Sequence, residues 1–409
     1  MAGISTTEEQ ALETGLVKAN TQEKPETLTL PRGAHLSLVT TQQSLDSLEE
    51  PWLALEQAAS NTPSVFQSYS WISSWAKTYI TDQSATELCI VTGFDEGKLV
   101  FVLPLMKEKS GPVRVLRWLS EPFGQYGDAL ISADQAVKPW LSNAIDFIRH
   151  LKDVDVIRLR HVREDSVVAD FCKSSLVDAR LDEKAPFLDL TAYANEESYE
   201  ARYTSTQRKR RKKIRKELEE MGAVEFRLLP PGSMCDAALT AAIAEKNLWL
   251  EERGRQNRAL KSPQLLKFLK DLSRTNGGYL EVETSELRAG DRPVSWEVGF
   301  NFRGTHFAYI TSHVNALTDL SPGRLHMDLS QRHCIRNGQK KFDLMVPHDQ
   351  HKESWSSGFV KTADYYVALT MLGQIYGQVY LRTLRPIIRR MYYNSPKWLL
   401  RLVKPIFGM

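Results

Sequence analysis

The chain has 409 residues, enough for two domains of ordinary size, each with its own core. Its 42% apolar and 25% charged content is that of a soluble globular protein, and a net charge of only +3 argues against a dedicated nucleic-acid binder. Cys89, Cys172, Cys235 and Cys334 are scattered with no C-x-x-C pair. They read as free thiols in a reducing compartment, not as a disulfide frame or a zinc site. No basic region followed by an apolar stretch opens the chain, so no secretory signal is visible and a cytoplasmic location is expected.

Residues 1–33 are polar, rich in Thr and Glu, and read as a disordered leader. An N-terminal domain is then expected over 34–190. Residues 35–40 alternate like a strand, and 44–59 have helical spacing with Leu45, Leu48, Trp52, Leu55 and Ala59 on one face. Phe66, Trp71 and Trp75 follow and are expected in the core. Segments 87–94 and 98–106 flank Asp95, Glu96 and Gly97, a hairpin signal. Strands are predicted at 113–119, 128–131 and 154–160, with a helix over 140–151.

Residues 187–191 read as a linking strand into a second domain, 191–364. Helices are predicted at 196–203 and 207–221, a strand at 224–229, helices at 234–253 and 262–275, and strands at 279–286, 293–303 and 306–313. A helix led by Ser321, Pro322 and Gly323 runs to Asn337, followed by a strand at 341–345 and a polar loop holding His348, Asp349, His351, Lys352 and Trp355. The two halves share an element order, which suggests an internal duplication and an α/β fold with a mixed sheet in each half. A helix N-terminus beside a splayed sheet can hold a pyrophosphate on free backbone N–H groups, and the polar loop returns to the same end of the sheet.

The ordered set Pro322, Gly323, Leu325, Gly338, Phe342, Asp343, Lys352 and Trp355 resembles the two-domain, CelD-type branch of the GNAT acetyltransferases, associated with cellulose and exopolysaccharide synthesis. It is more distantly similar to the Fem aminoacyltransferases of peptidoglycan bridges. The resemblance extends in weaker form over 60–360 and implies two tandem GNAT-like domains. It also implies acetyl-CoA as cosubstrate and a sugar of a polysaccharide precursor, lipid-linked in some systems, as acceptor; no metal site is expected, because His326 and His333, seven apart, have no carboxylate pair to complete a ligand set. This branch often has Tyr before the Lys, where this chain has His351, and the usual R/Q-x-x-G-x-G/A text is absent.

Acyl transfer needs a pyrophosphate cradle, donors to polarise the carbonyl, and a base. Ser321, Gly323, Arg324 and Leu325 are the cradle candidates, with Arg324 adding charge at the helix start. Asp343, His351 and Lys352 are the catalytic candidates, and His348, Asp349 and Trp355 are expected to bind substrate. Histidine suits general-base work near neutrality, whereas Asp343, in a strand, could be structural and Lys352 could be a phosphate contact. Glu245, Trp249, Glu251, Glu252 and Arg253 form a further patch without assigned roles.

Eight cationic residues fall between Arg208 and Lys216. They suit a solvated helix paired with Glu217, Glu219 and Glu220, or a polyanionic substrate, lipid diphosphate or membrane surface; nucleic acid fits least, for want of interleaved aromatics. From Tyr365 to Met409 there is no acidic residue, and seven cations from Arg382 to Lys404 are mixed with apolar and aromatic residues. This tail reads as basic amphipathic helices that either pack on the domain or lie on an anionic inner-membrane surface, each cation adding about 1 kcal/mol there. Two rival functions stay open. One is tRNA-dependent aminoacyl transfer of the Fem type. The other is a non-catalytic regulator gripping cyclic di-GMP with Arg385, Arg389 and Arg390 or with Arg208–Arg211.

Overall fold

The computed structural model describes residues 27–59, 65–81, 84–151, 153–275 and 278–394. Strands β1 (Thr27–Thr29) and β2 (His35–Val39) lead to helices α1 (Gln42–Asp46), α2 (Glu49–Ala58) and α3 (Tyr69–Tyr79). Then come β3 (Thr86–Asp95), β4 (Lys98–Ser110), β5 (Val113–Trp118), β6 (Leu130–Ile131), α4 (Val137–Arg149), β7 (Val156–Arg163), α5 (Ala169–Ser175) and β8 (Val177–Asp189). The second half holds α6 (Glu196–Ala201), α7 (Ser205–Glu219), β9 (Val224–Leu228), α8 (Ser233–Glu252), α9 (Leu265–Ser273), β10 (Glu281–Ala289), β11 (Arg292–Phe302) and β12 (Thr305–His313). It closes with α10 (Pro322–Arg336), β13 (Lys341–Asp343), α11 (Gln350–Glu353), β14 (Gly358–Ala368), α12 (Met371–Ile375), a π-helical stretch Tyr376–Leu384, and α13 (Arg385–Asn394).

The strands form one sheet in the order β1-β2-β3-β4-β5-β7-β14-β8-β13-β12-β11-β10-β9. With β1 set aside, that order reads the same from either end when β2–β5, β7 and β8 are matched with β9–β12, β13 and β14. The strand pairs β5·β7 and β12·β13 are both parallel, and the other pairs of neighbouring strands are antiparallel. Helices match too: α4 lies between β5 and β7 in the chain, as α10 lies between β12 and β13. The tandem α/β expectation therefore holds, and the duplication is visible in topology where the residues had hidden it. The last strand of each half is exchanged: β8 pairs with β13, and β14 pairs with β7.

Local chemistry explains most elements. Glu96 and Gly97, both at positive φ, make the two-residue turn that joins β3 to β4. The single helix expected over 44–59 is broken, because Pro51 has no N–H and its ring clashes with the carbonyl four residues back in a continuous helix. Thr204 caps α7, its side chain accepting from the Gln207 N–H. The expected leader is shorter than read: Thr27–Thr29 pairs with β2 as an edge strand, and residues 1–26 lie outside the described residues.

One core spans both halves. Trp71, fully buried on α3, meets Phe300 and Tyr309 of β11 and β12 edge-on at 5.3 and 5.9 Å. Phe66, Trp71 and Trp75 are thus core aromatics, as expected, but their partners include the other half's sheet. Buried at the edge of this core, Asp343 on β13 accepts hydrogen bonds from Tyr126 Oη (2.8 Å) and Arg163 Nη1 (2.7 Å) of the first half. This pair clamps β13, and the loop after it, to β7.

Candidate active site

Strand β13 pairs with β12 only at Thr305–Lys341, His306–Phe342 and Phe307–Asp343. Beyond Phe307 the two strands part, and β12 runs on alone on that side to His313. The chain then turns through Asn315–Leu320, and the carboxylate of Glu245 on α8 holds that turn by accepting from the Asn315 backbone and side-chain amides, both at 3.0 Å. Ser321 sits in the left-handed region at φ 53°, and Pro322 opens α10. Pro322 has no N–H to satisfy and the Arg324 N–H donates to the Ser321 carbonyl at 3.0 Å, which leaves the Gly323 N–H at the tip without an acceptor in its own helix. Gly323 leaves this end uncrowded: a Cβ there would sit 3.3 Å from His313 Nδ1.

Cations from four elements converge on this helix start. Arg324 has its guanidinium pKa lowered by burial and by Arg210 and Arg211 of α7. Burial and the neighbouring Lys352 push Lys246 of α8 down to about 8. Burial likewise takes Lys352 down to about 8, against the pull of Asp349 and Asp343. His313 is held below the ordinary histidine range by burial, then Lys246 and Arg253; His351 by burial, then Arg324. Arg253 stacks on Trp249 at 4.0 Å and Lys246 lies over the same ring at 4.8 Å. Among the described residues, Arg210, Lys246 and Arg324 form no ion pair with a carboxylate. A cluster of this sign, at a helix N-terminus, suits a multiply charged anion such as a pyrophosphate.

The predicted residues divide accordingly. Ser321, Gly323, Arg324, Asp349, His351 and Lys352 come together. Asp349 caps α11, accepting from the Lys352 N–H at 2.8 Å. Lys352 Nζ donates to the Met345 and Pro347 carbonyls at 3.0 and 2.9 Å, bracing the loop at the base of the splay and leaving one N–H over. Leu325 is different: its side chain is buried with Ile214, Leu218 and Val294, so only its backbone faces the helix start. Trp355 is also buried, under the Arg211 guanidinium, and packs rather than presenting a face to substrate. His348 pairs with Glu353 at 3.0 Å. Both Asp343 oxygens are taken by Tyr126, Arg163 and the Met345 N–H, which makes it an anchor between the halves.

Lys246 and His313 were not picked out by sequence reasoning, and Arg253 had no assigned role. The signal was there: Lys246, Trp249 and Arg253 are spaced to share one helical face. The other histidines of this half brace the scaffold. His306 bonds Asn301 at 2.8 Å and Glu297 at 3.0 Å, and His326 lies between Ser285 and Ser295. The basic run on α7 also divides. Arg211 folds inward onto Tyr203 and Asp328, and Lys213 and Arg215 pair along the helix with Glu217 and Glu219.

Residues 205–353, just over a third of the chain, match the family model described as an acetyltransferase (GNAT) domain. The chain carries a GNAT-type acyltransferase domain. It spans every element of the site, from α7 to Lys352. No curated protein matches the chain. Among solved structures the chain is similar to FemX, at TM-score 0.55 and 9% identity, covering 87% of this chain and 99% of that one. It is similar to a DUF2156 domain from Agrobacterium fabrum, assigned to a lysylphosphatidylglycerol synthetase, at TM-score 0.50 and 10% identity over 86% of this chain and 97% of that one. A conserved protein of unknown function from Bacteroides thetaiotaomicron VPI-5482 aligns at TM-score 0.50 and 11% identity over 80% and 99%. At these identities the likeness is one of fold. Among the described residues no helix is long and apolar enough to cross a membrane.

Proposed function

We propose that the chain transfers an acetyl group from acetyl-CoA to an amine or hydroxyl of a sugar in a cell-surface polysaccharide precursor. The observation that carries the cosubstrate is the cationic ring of Lys246, Arg253, Arg324 and Lys352 around the α10 start, with Gly323 leaving room at its tip. In this reading the Gly323 N–H at the helix tip and these cations hold the pyrophosphate. His351, largely neutral at pH 7, takes the proton from the acceptor. Lys352 keeps the loop in place and adds charge, and Asp343 anchors that loop from behind. The sugar acceptor rests on the resemblance to the CelD-type branch.

A second reading, tRNA-dependent aminoacyl transfer of the Fem type, is favoured by the exposed cations Lys209, Arg210 and Lys212 beside the cradle, which would suit a longer polyanion. A cyclic di-GMP grip at Arg385 and Arg389 draws less support, since Arg385 is bonded to Asp364 and Arg389 pairs with Glu183. Calorimetric titration with acetyl-CoA and with aminoacyl-tRNA separates the readings. Micromolar acetyl-CoA binding that disappears in Gly323→Glu supports the proposal. Binding of aminoacyl-tRNA without acetyl-CoA overturns it.

A further inference from the structure

The last helical stretch, Met371–Asn394, has its faces reversed. The inward face carries Gly373 and Gly377. A Cβ on Gly373 would sit 1.8 Å from the Asp155 carbonyl oxygen, and one on Gly377 would sit 2.2 Å from the Tyr366 ring. These glycines let the helix press onto the sheet, and Leu381 is fully buried beside them. Thr370 caps the helix and donates to Asp155 at 2.8 Å; Arg385 donates to Asp364 at 2.8 Å. The docking is therefore specific. The outward face carries Met371 (85% exposed), Ile375 (58%), Val379 (51%), Leu384 (44%), Ile387 (52%) and Met391 (60%). Large apolar side chains recurring at helical spacing on the solvent side of a docked helix mark a surface that something covers.

Charge selects the occupant. Asp364 is the last acidic residue of the chain, and Arg382 and Arg390 flank the stripe. Beyond the described residues the sequence adds Lys397, Arg401 and Lys404 among Trp398, Leu399, Leu402 and Phe407. A second copy of this helix would bring arginines against arginines, because the helix's own ions all have one sign. We propose that the Met371–Asn394 helix lies in the interface of an anionic lipid bilayer, its apolar stripe among the acyl chains and its cations at the headgroups. The reading is independent of the acyl donor and acceptor.

The test is sedimentation of the full chain with sucrose-loaded vesicles of neutral phosphatidylcholine or of phosphatidylcholine with one quarter phosphatidylglycerol. Binding at least 10-fold tighter to the anionic vesicles is expected, weakening as salt is raised. Replacing three exposed side chains together, Ile375→Gln, Val379→Gln and Ile387→Gln, lowers binding at least 10-fold and leaves the melting curve in place. A fluorophore on Met371→Cys shifts to the blue with anionic vesicles; the four native cysteines are buried, so labelling is selective. Three results overturn the proposal: no vesicle binding by the native chain, unchanged binding by the triple variant, or a dimer in sedimentation velocity that the triple variant abolishes.

Discussion

The two halves share a frame and differ in what occupies its opening. In the first half β5 and β7 part after Arg117 and Arg158, as β12 and β13 part after Phe307 and Asp343. There the gap is filled. The Trp118 indole bonds the Arg160 carbonyl at 3.0 Å, Gly127 makes a parallel bridge to Val162, and the Trp118 ring leaves no room for a side chain at Gly127. Glu121 enters the nest of Arg158 and Arg160 at 2.7 and 2.8 Å, and those arginines hold its carboxyl well below the usual range against the cost of burial. The helix start matching α10 offers Val137, with Pro139 two residues on. The 440 Å³ cavity beside it contains one ionic side chain, Asp165, already paired with Arg163. In the second half Lys246 and Arg324 form no ion pair with a carboxylate among the described residues. The fold supplies a place for an anion twice, and in the first copy the protein's own Glu121 fills it.

The predictions press on that contrast. Replacing His351 by Ala should lower kcat by about 100-fold or more, the scale of lost general-base catalysis. The native kcat/KM profile should fall with acid only below the ordinary histidine value, because burial and Arg324 favour the neutral ring. An acid limb unchanged in the variant would remove His351 from the chemistry. Asp343→Asn should cost about 3 kcal/mol in denaturant unfolding, since it leaves Arg163 buried with only Asp165. The folded fraction should keep its kcat; a large fall in kcat at unaltered stability would return Asp343 to the catalytic set. Lys246→Ala should weaken acetyl-CoA binding about 10-fold, the worth of one charge-assisted contact. Lys246 and Lys352 both lose charge as pH rises through about 8, so affinity should be full below that pH and decline above it. Affinity that rises from pH 7 to pH 9 would sink the cationic-cradle account.

Much of this was legible in the sequence. The hairpin at Glu96 and Gly97, the α10 start and the return of His351 and Lys352 follow from turn chemistry and spacing. Strand β14 was not, because its inward positions include Thr362 and Asp364, which break the apolar alternation that marks a strand. The charged first part of β8 was hidden likewise: Asp178, Arg180, Asp182 and Lys184 are exposed, and only Ala179, Leu181 and Ala185 supply buried apolar positions. The exchange of β8 and β14 leaves no local signal at all, since pairing between distant strands is a tertiary choice. Asp343 and Trp355 were found for the right pattern and read in the wrong role. A polar or aromatic residue near a site is as useful for holding the loop as for touching the substrate, and only burial separates the two.

The most direct measurement sets the halves side by side: acetyl-CoA titrations of the native chain, Gly323→Glu and Val137→Glu. The account predicts micromolar binding by the native chain, no detectable binding by Gly323→Glu, and an affinity within about twofold of native for Val137→Glu, whose helix start lacks the cations that attract a phosphate. Loss of binding in Val137→Glu with retention in Gly323→Glu would place the cosubstrate in the first half and contradict the account.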